Sequence, residues 1–148
     1  APDSSKILYY GMSLGTAPAT HQVGIKEPCA LVLEVPFSGF GPIHQETAYT
    51  GLPESYLVTG DYNNAEKLSH SSQPTLILHA GKDQRFPPPS IQKLFEGLPT
   101  QNKTIHLFDD AIHGIHADSG IAEMIGNAAY FKLYKDFMAA DAPQCLSL

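Results

Sequence analysis

Four apolar runs punctuate this chain, and the stretches between them carry apolar residues at helical spacing. Ile7 to Tyr10 is short and continuously apolar, the pattern of a strand buried on both faces. Ala30 to Val35 repeats it and is stopped by Pro36. Thr75 to Ala80 is a third run, opened by Pro74 and closed by Gly81. Thr104 to Phe108 is more alternating, which suits a strand nearer a sheet edge. Leu14 to about Val23, interrupted by Pro18, reads as a helix, as do Asn64 to Ser69 and Pro89 to Gly97. Ser119 to Ala139 predicts the longest helix, with Ile121, Ile125, Leu133 and Phe137 on one stripe. Strands alternating with helices predict an α/β domain with a mostly parallel sheet of about four strands. Residues 37–73 form a longer excursion between the second and third strands, cap-like within a single domain over residues 1–148. Its Phe40, Tyr49, Leu52, Tyr56 and Leu57 either line an acyl pocket or pack the cap onto the body.

The first strand runs into Gly11-Met12-Ser13-Leu14-Gly15, and a helix follows. Gly-x-Ser-x-Gly between strand and helix has a mechanical purpose. The chain must turn sharply while the serine takes a strained conformation, and small residues two before and two after it avoid clashes. The helix N-terminus then points N–H groups at the reaction site, Leu14 N–H being the natural first oxyanion donor. Taken alone, the pattern also fits a plain strand-to-helix turn.

A serine nucleophile needs a base, and the base needs an orienting acid. Asp83 follows the third strand in Gly81-Lys82-Asp83-Gln84-Arg85-Phe86, at the carboxyl end where sites in parallel sheets form. His113 follows the fourth strand in Asp109-Asp110-Ala111-Ile112-His113-Gly114-Ile115-His116. Ser, Asp, His in that order, each past a strand end, predicts the triad Ser13, Asp83 and His113. Each residue has a blander alternative. Asp83 is also a favoured turn residue, and His113 also reads as a partly buried loop histidine. His116 stays open as an alternative base and Glu34 as an alternative acid. His113, His116 and Asp118 also spell His-x-x-His-x-Asp, but no other ligand cluster supports a metal there. Asp109 and Asp110 read as solvated loop acids, and His79, inside an apolar strand, as a satisfied core histidine.

The chain has 148 residues, 43% hydrophobic and 16% charged, enough for one globular domain. A net charge of −6 with scattered acids argues against a nucleic-acid surface. No apolar run approaches the ~20 residues a membrane-spanning helix needs. Cys29 reads as a small buried hydrophobe and Cys145 as a tail residue, not as a disulfide framework. That points to a reducing compartment and a cytoplasmic location. Cys145-Leu146-Ser147-Leu148 matches a prenylation box only loosely and is taken as coincidence.

The stretches ILYYGMSLGTAPA, ALVLEVPFSG, DYNNAEKLSHSSQPTLILHAGKDQRFPP and HLFDDAIHGIHAD resemble the C-terminal half of an α/β-hydrolase. The branch it looks like includes monoacylglycerol-lipase-like enzymes, S33-type peptidase relatives and depalmitoylase-like proteins. The resemblance covers most of Lys6 to Asp118 and implies a serine hydrolase of ester or thioester substrates. Ser13 would be nucleophile, Asp83 acid and His113 base, with no metal or cofactor. The family usually has Gly before the histidine, where this chain has Ile112, which keeps His116 in play. The resemblance also implies that the family's strands preceding the nucleophile strand are missing. Ile7 to Met12 would then be a bare edge, completed by an N-terminal fragment, by another chain or by a second copy, and the chain would have weak activity alone. The alternative is a truncated, non-catalytic hydrolase serving as a binding or self-association module.

Overall fold

The computed structural model describes residues 3–39, 60, 62–114 and 120–147. Four parallel strands form one sheet, β1 Leu8–Met12, β2 Ala30–Glu34, β3 Thr75–Ala80 and β4 Lys103–Phe108, in the spatial order β1-β2-β3-β4. Helices α1 Thr16–Ile25, α2 Asn64–Leu68 and α3 Pro88–Gly97 follow the first three strands. Helices α4 Ile121–Ile125 and α5 Asn127–Ala140 follow the last. This is the expected α/β architecture.

Two apolar layers sandwich the sheet, which explains why its strands read as unbroken apolar runs. Leu31, Leu33 and Ile77 point to one face with Ala17, Val23, Leu68, Ile91 and Leu94. Ala30, Val32, Leu76 and Leu78 point to the other, with Ile121 and Phe137. Every residue of β2 and β3 is buried. In β1 only Gly11 is. Its expected burial on both faces is not met: among the described residues, β1 has a hydrogen-bonded neighbour on one side only. At the opposite edge β4 is only partly buried, as its alternation suggested.

Pro18 does not interrupt α1. It is the third helical residue, and in the first turn its missing N–H would have had no intrahelical acceptor. The long helix expected over Ser119 to Ala139 is instead two helices. Gly126 adopts φ +83 between them, a left-handed conformation that ends one helix and lets the chain re-aim into the next.

Cys29 and Cys145 are disulfide-bonded, their Cα atoms 5.3 Å apart across 116 residues of chain. This corrects the reading of both cysteines. The tail folds back beneath the start of β2, where Gln144 Nε2 donates to Cys29 O at 2.7 Å and Lys6 Nζ to Ser147 O at 2.9 Å. Sequence spacing carries no sign of that return. With both sulfurs bonded, the inference from free cysteines to a reducing, cytoplasmic setting no longer stands. No helix among the described residues is long and apolar enough to cross a membrane. The cap-like excursion over residues 37–73 lies largely outside the described residues, as do all five of its named apolar side chains.

Candidate active site

Ser13 opens a single 3-10 turn, Ser13–Gly15, between β1 and α1, with φ +51. A non-glycine residue at positive φ is strained, and the surroundings must hold it there. Gly11 is one reason the turn can form. A Cβ at that position would lie 2.6 Å from Gly15 O and 2.8 Å from Thr16 Cα. Gly15 differs from the expectation: its φ is −64 and a Cβ there meets nothing within 4 Å. Only the first of the two flanking glycines is sterically required by the described residues.

A buried hydrogen-bond chain fastens the elbow from behind. Thr16 Oγ1 donates to Ser13 O at 2.7 Å, Asn64 Nδ2 donates to Thr16 Oγ1 at 3.2 Å and to Phe37 O at 2.9 Å. Asn64, at the start of α2, therefore ties α1 to the segment leaving β2. Sequence reading saw only a short helix there. Val35, just past β2 and buried, also has positive φ (+41), so strain collects where two neighbouring strands end.

The acid and histidine loops are laced together. Gly81 N donates to Phe108 O at 2.8 Å and Lys82 N to Ala111 O at 2.9 Å. The approach is so close that a Cβ on Gly81 would lie 2.6 Å from Asp109 Cα. Asp83 is 4% exposed. Its Oδ1 accepts N–H bonds from Arg85 (2.8 Å) and Phe86 (2.9 Å), and its Oδ2 lies 2.7 Å from His113 Nδ1. Burial pushes the Asp83 pKa up. The bonds from His113, Phe86 and Arg85, with the histidine's charge, outweigh it and hold the carboxyl below the usual carboxylate range. A carboxylate only accepts, so Nδ1 carries the histidine's proton and Nε2 offers a lone pair. That Nε2 lies 2.7 Å from Ser13 Oγ, whose hydroxyl donates to it. The Phe86 ring, itself buried, meets the His113 ring edge-on at 4.9 Å between centroids.

Ser13, Asp83 and His113 thus converge from three strand ends. The arrangement is chemically suited to drawing a proton off a serine hydroxyl and stabilising the resulting imidazolium. Leu14, the second residue of the helical turn, is 58% exposed. His116 and Asp118, and with them the alternative base and the His-x-x-His-x-Asp pattern, lie outside the described residues. Glu34 is turned to other partners. Its Oε2 accepts from Tyr10 OH at 2.8 Å and Tyr130 OH at 2.5 Å, joining β1, β2 and α5. Burial pushes up the pKa of both tyrosines, and the bonds to Glu34 add to it. Asp109 and Asp110 are exposed, with Asp110 paired to Lys82. Gly81, Phe86 and Asn64 are the supporting residues that sequence reasoning did not single out. The tight Gly81-Lys82-Asp83 turn was the one available hint.

Residues 55–120 match the family model described as "Serine aminopeptidase, S33" (Hydrolase_4). The structure is similar to the Pyrococcus furiosus esterase Pf2001, with TM-score 0.67 at 16% identity, covering 92% of this chain and 53% of that one. It is similar to Pyrococcus horikoshii acylaminoacyl peptidase, with TM-score 0.69 at 15% identity, covering 95% and 25%. The fold is that of the α/β-hydrolases. In sequence, the chain is 32% identical over 95 residues to the uncharacterized protein Rv2307c of Mycobacterium tuberculosis, covering 62% of this chain. The chain spans about a third (32%) of the length of that curated relative. The family model supports a hydrolase role, and the solved neighbours establish the α/β-hydrolase architecture.

Proposed function

We propose that the chain carries the acyl-transfer triad of a serine hydrolase acting on esters or thioesters. Ser13 is the nucleophile, His113 the base that takes its proton and returns it to the leaving group, and Asp83 the acid that orients His113. Attack on an acyl carbonyl gives a tetrahedral oxyanion, stabilised by Leu14 N–H, and then an acyl-enzyme that water resolves. The observation that carries this reading is the pair of 2.7 Å contacts linking Ser13 Oγ, His113 and Asp83 in one line.

The second oxyanion donor of this fold comes from a loop after an earlier strand. We infer that a further segment, covalently joined or supplied in trans, pairs along β1 and brings that donor. In support, no strand among the described residues pairs with the outer side of β1, and Tyr10 is 46% exposed in mid-strand. One missing donor lowers turnover by roughly 10²–10³. The experiment is a panel of acyl esters and thioesters given to the chain alone and together with a supplied segment carrying the proposed pairing strand and donor loop. Hydrolysis that disappears in Ser13→Ala is expected. Hydrolysis equal in Ser13→Ala, or none on any acyl substrate, defeats the reading and favours a non-catalytic binding or self-association module.

A further inference from the structure

His79 lies in β3 with no exposed surface. Among the described residues, its Nδ1 is the buried side-chain polar atom left without a hydrogen-bond partner. Its Nε2 lies 2.9 Å from Phe86 O. A carbonyl only accepts, so the proton sits on Nε2 and Nδ1 is left with an unmet lone pair. An aliphatic side chain would fill this core position without that defect. Packing alone therefore gives no reason for an imidazole here. The expectation of a satisfied core histidine holds for one nitrogen and fails for the other.

What the imidazole does is grip Phe86. That residue is held at both ends of its backbone, its N–H donating to Asp83 Oδ1 and its carbonyl accepting from His79. Its ring packs edge-on against His113. Pro87 follows and has no N–H to offer, so the loop lacks one of its own means of closing here. We propose that His79 is a positioning residue of the triad, anchoring Phe86 so that Asp83 and the Phe86 ring hold His113 in reach of Ser13. The inference rests on the triad reading above. Burial also keeps His79 below the ordinary histidine pKa, even against the pull of nearby Asp83, so it serves as a neutral donor.

Two substitutions separate the donor from the bulk. His79→Gln places an amide N–H near the position of Nε2, whereas His79→Asn stops one carbon short of it. The readouts are the far-downfield proton resonance of His113 Nδ1–H and the rate at which a fluorophosphonate labels Ser13, both on the full chain. The resonance is assigned by its loss in His113→Gln. His79→Gln is expected to keep the resonance and label within about twofold of the unsubstituted chain. His79→Asn is expected to lose the resonance and label about tenfold more slowly, the loss of one oriented hydrogen bond, while unfolding cooperatively. Three results would overturn the proposal: no resonance in the unsubstituted chain, an Asn variant indistinguishable from it, or an Asn variant that unfolds while the Gln variant folds. The last would make the bond a support of the fold and not of the triad. An unlabelled Ser13 in a chain that shows the resonance would defeat the hydrolase reading alone, with the resonance comparison still deciding the role of His79.

Discussion

The two sides of the site are built differently. On the acid–histidine side, β3 is buried along its whole length, the Gly81 loop lies against Asp109, and both oxygens of the Asp83 carboxylate accept hydrogen bonds. On the serine side, β1 has one neighbour among the described residues, Tyr10 is 46% exposed and Leu14 58% exposed. Both strands read alike in sequence, as short apolar runs. The difference teaches that an apolar run reports the burial a strand is built for, while the burial achieved depends on what pairs beside it. Among the described residues, the acid-bearing strand is paired on both sides and the nucleophile-bearing strand on one.

If that contrast is right, substitutions on the finished side should do the most harm. His113→Ala is expected to reduce fluorophosphonate labelling of Ser13 by about 10⁴-fold or more, the usual cost of losing a triad base. Leu14→Ala, which trims an exposed side chain but keeps the backbone N–H, should leave that labelling within about twofold and stability within about 0.5 kcal/mol. Comparable losses from the two would break the comparison.

The disulfide lies at the far end of the sheet from Ser13, closing a loop across 116 residues. Reduction, or Cys145→Ser with Cys29→Ser, is expected to cost about 2–5 kcal/mol in denaturant unfolding. The Ser13 labelling rate of the folded fraction should not change. A changed rate would tie the tail to the site.

The glycines sharpen the contrast at single-residue scale. Gly81→Ala forces a Cβ to within 2.6 Å of Asp109 Cα and should destabilise by about 1–3 kcal/mol through loop displacement. Gly15→Ala meets nothing within 4 Å at a helical φ of −64 and should be neutral or stabilising by up to about 1 kcal/mol. Thermal unfolding of the two variants side by side decides it. A costly Gly15→Ala would mean that the serine side is more crowded than described.

The remaining effect is in pH. His79 has a depressed folded pKa, so the unfolded chain binds its proton first. Its contribution is complete above the ordinary 6.5 and is lost as pH falls below that. Asp83, also depressed, contributes fully above the ordinary 3.8 and loses its contribution only as pH falls further. Urea unfolding between pH 7.5 and 5 should therefore show stability falling by up to about 1.4 kcal/mol per unit below 6.5. His79→Gln should flatten that slope. A slope unchanged in His79→Gln would assign it to other histidines.

Much of the proposed site was legible because each of its three residues stands where a strand must end. Ser13 sits between small residues, Asp83 two past Gly81, and His113 beside Gly114. The order of the three follows from the order of the strands. What stayed hidden depends on distant packing. The Cys29–Cys145 bond joins segments with no local signal linking them. The break at Gly126 lies inside an apolar stripe that runs through it at helical spacing, so periodicity alone joins the two helices. The role of Phe86 depends on a carbonyl and a ring edge that composition does not encode. The exposed Tyr10 is legible only once the strand order is known.

The central claim is most directly tested by fluorophosphonate labelling with peptide mapping, on the chain alone and again with a segment carrying the proposed pairing strand and donor loop supplied. The account predicts a single adduct on Ser13, absent in His113→Ala, forming roughly 10²–10³ times faster with the supplied segment because a second oxyanion donor is restored. A Ser13 that stays unlabelled in both preparations, or an adduct on another residue, would contradict it.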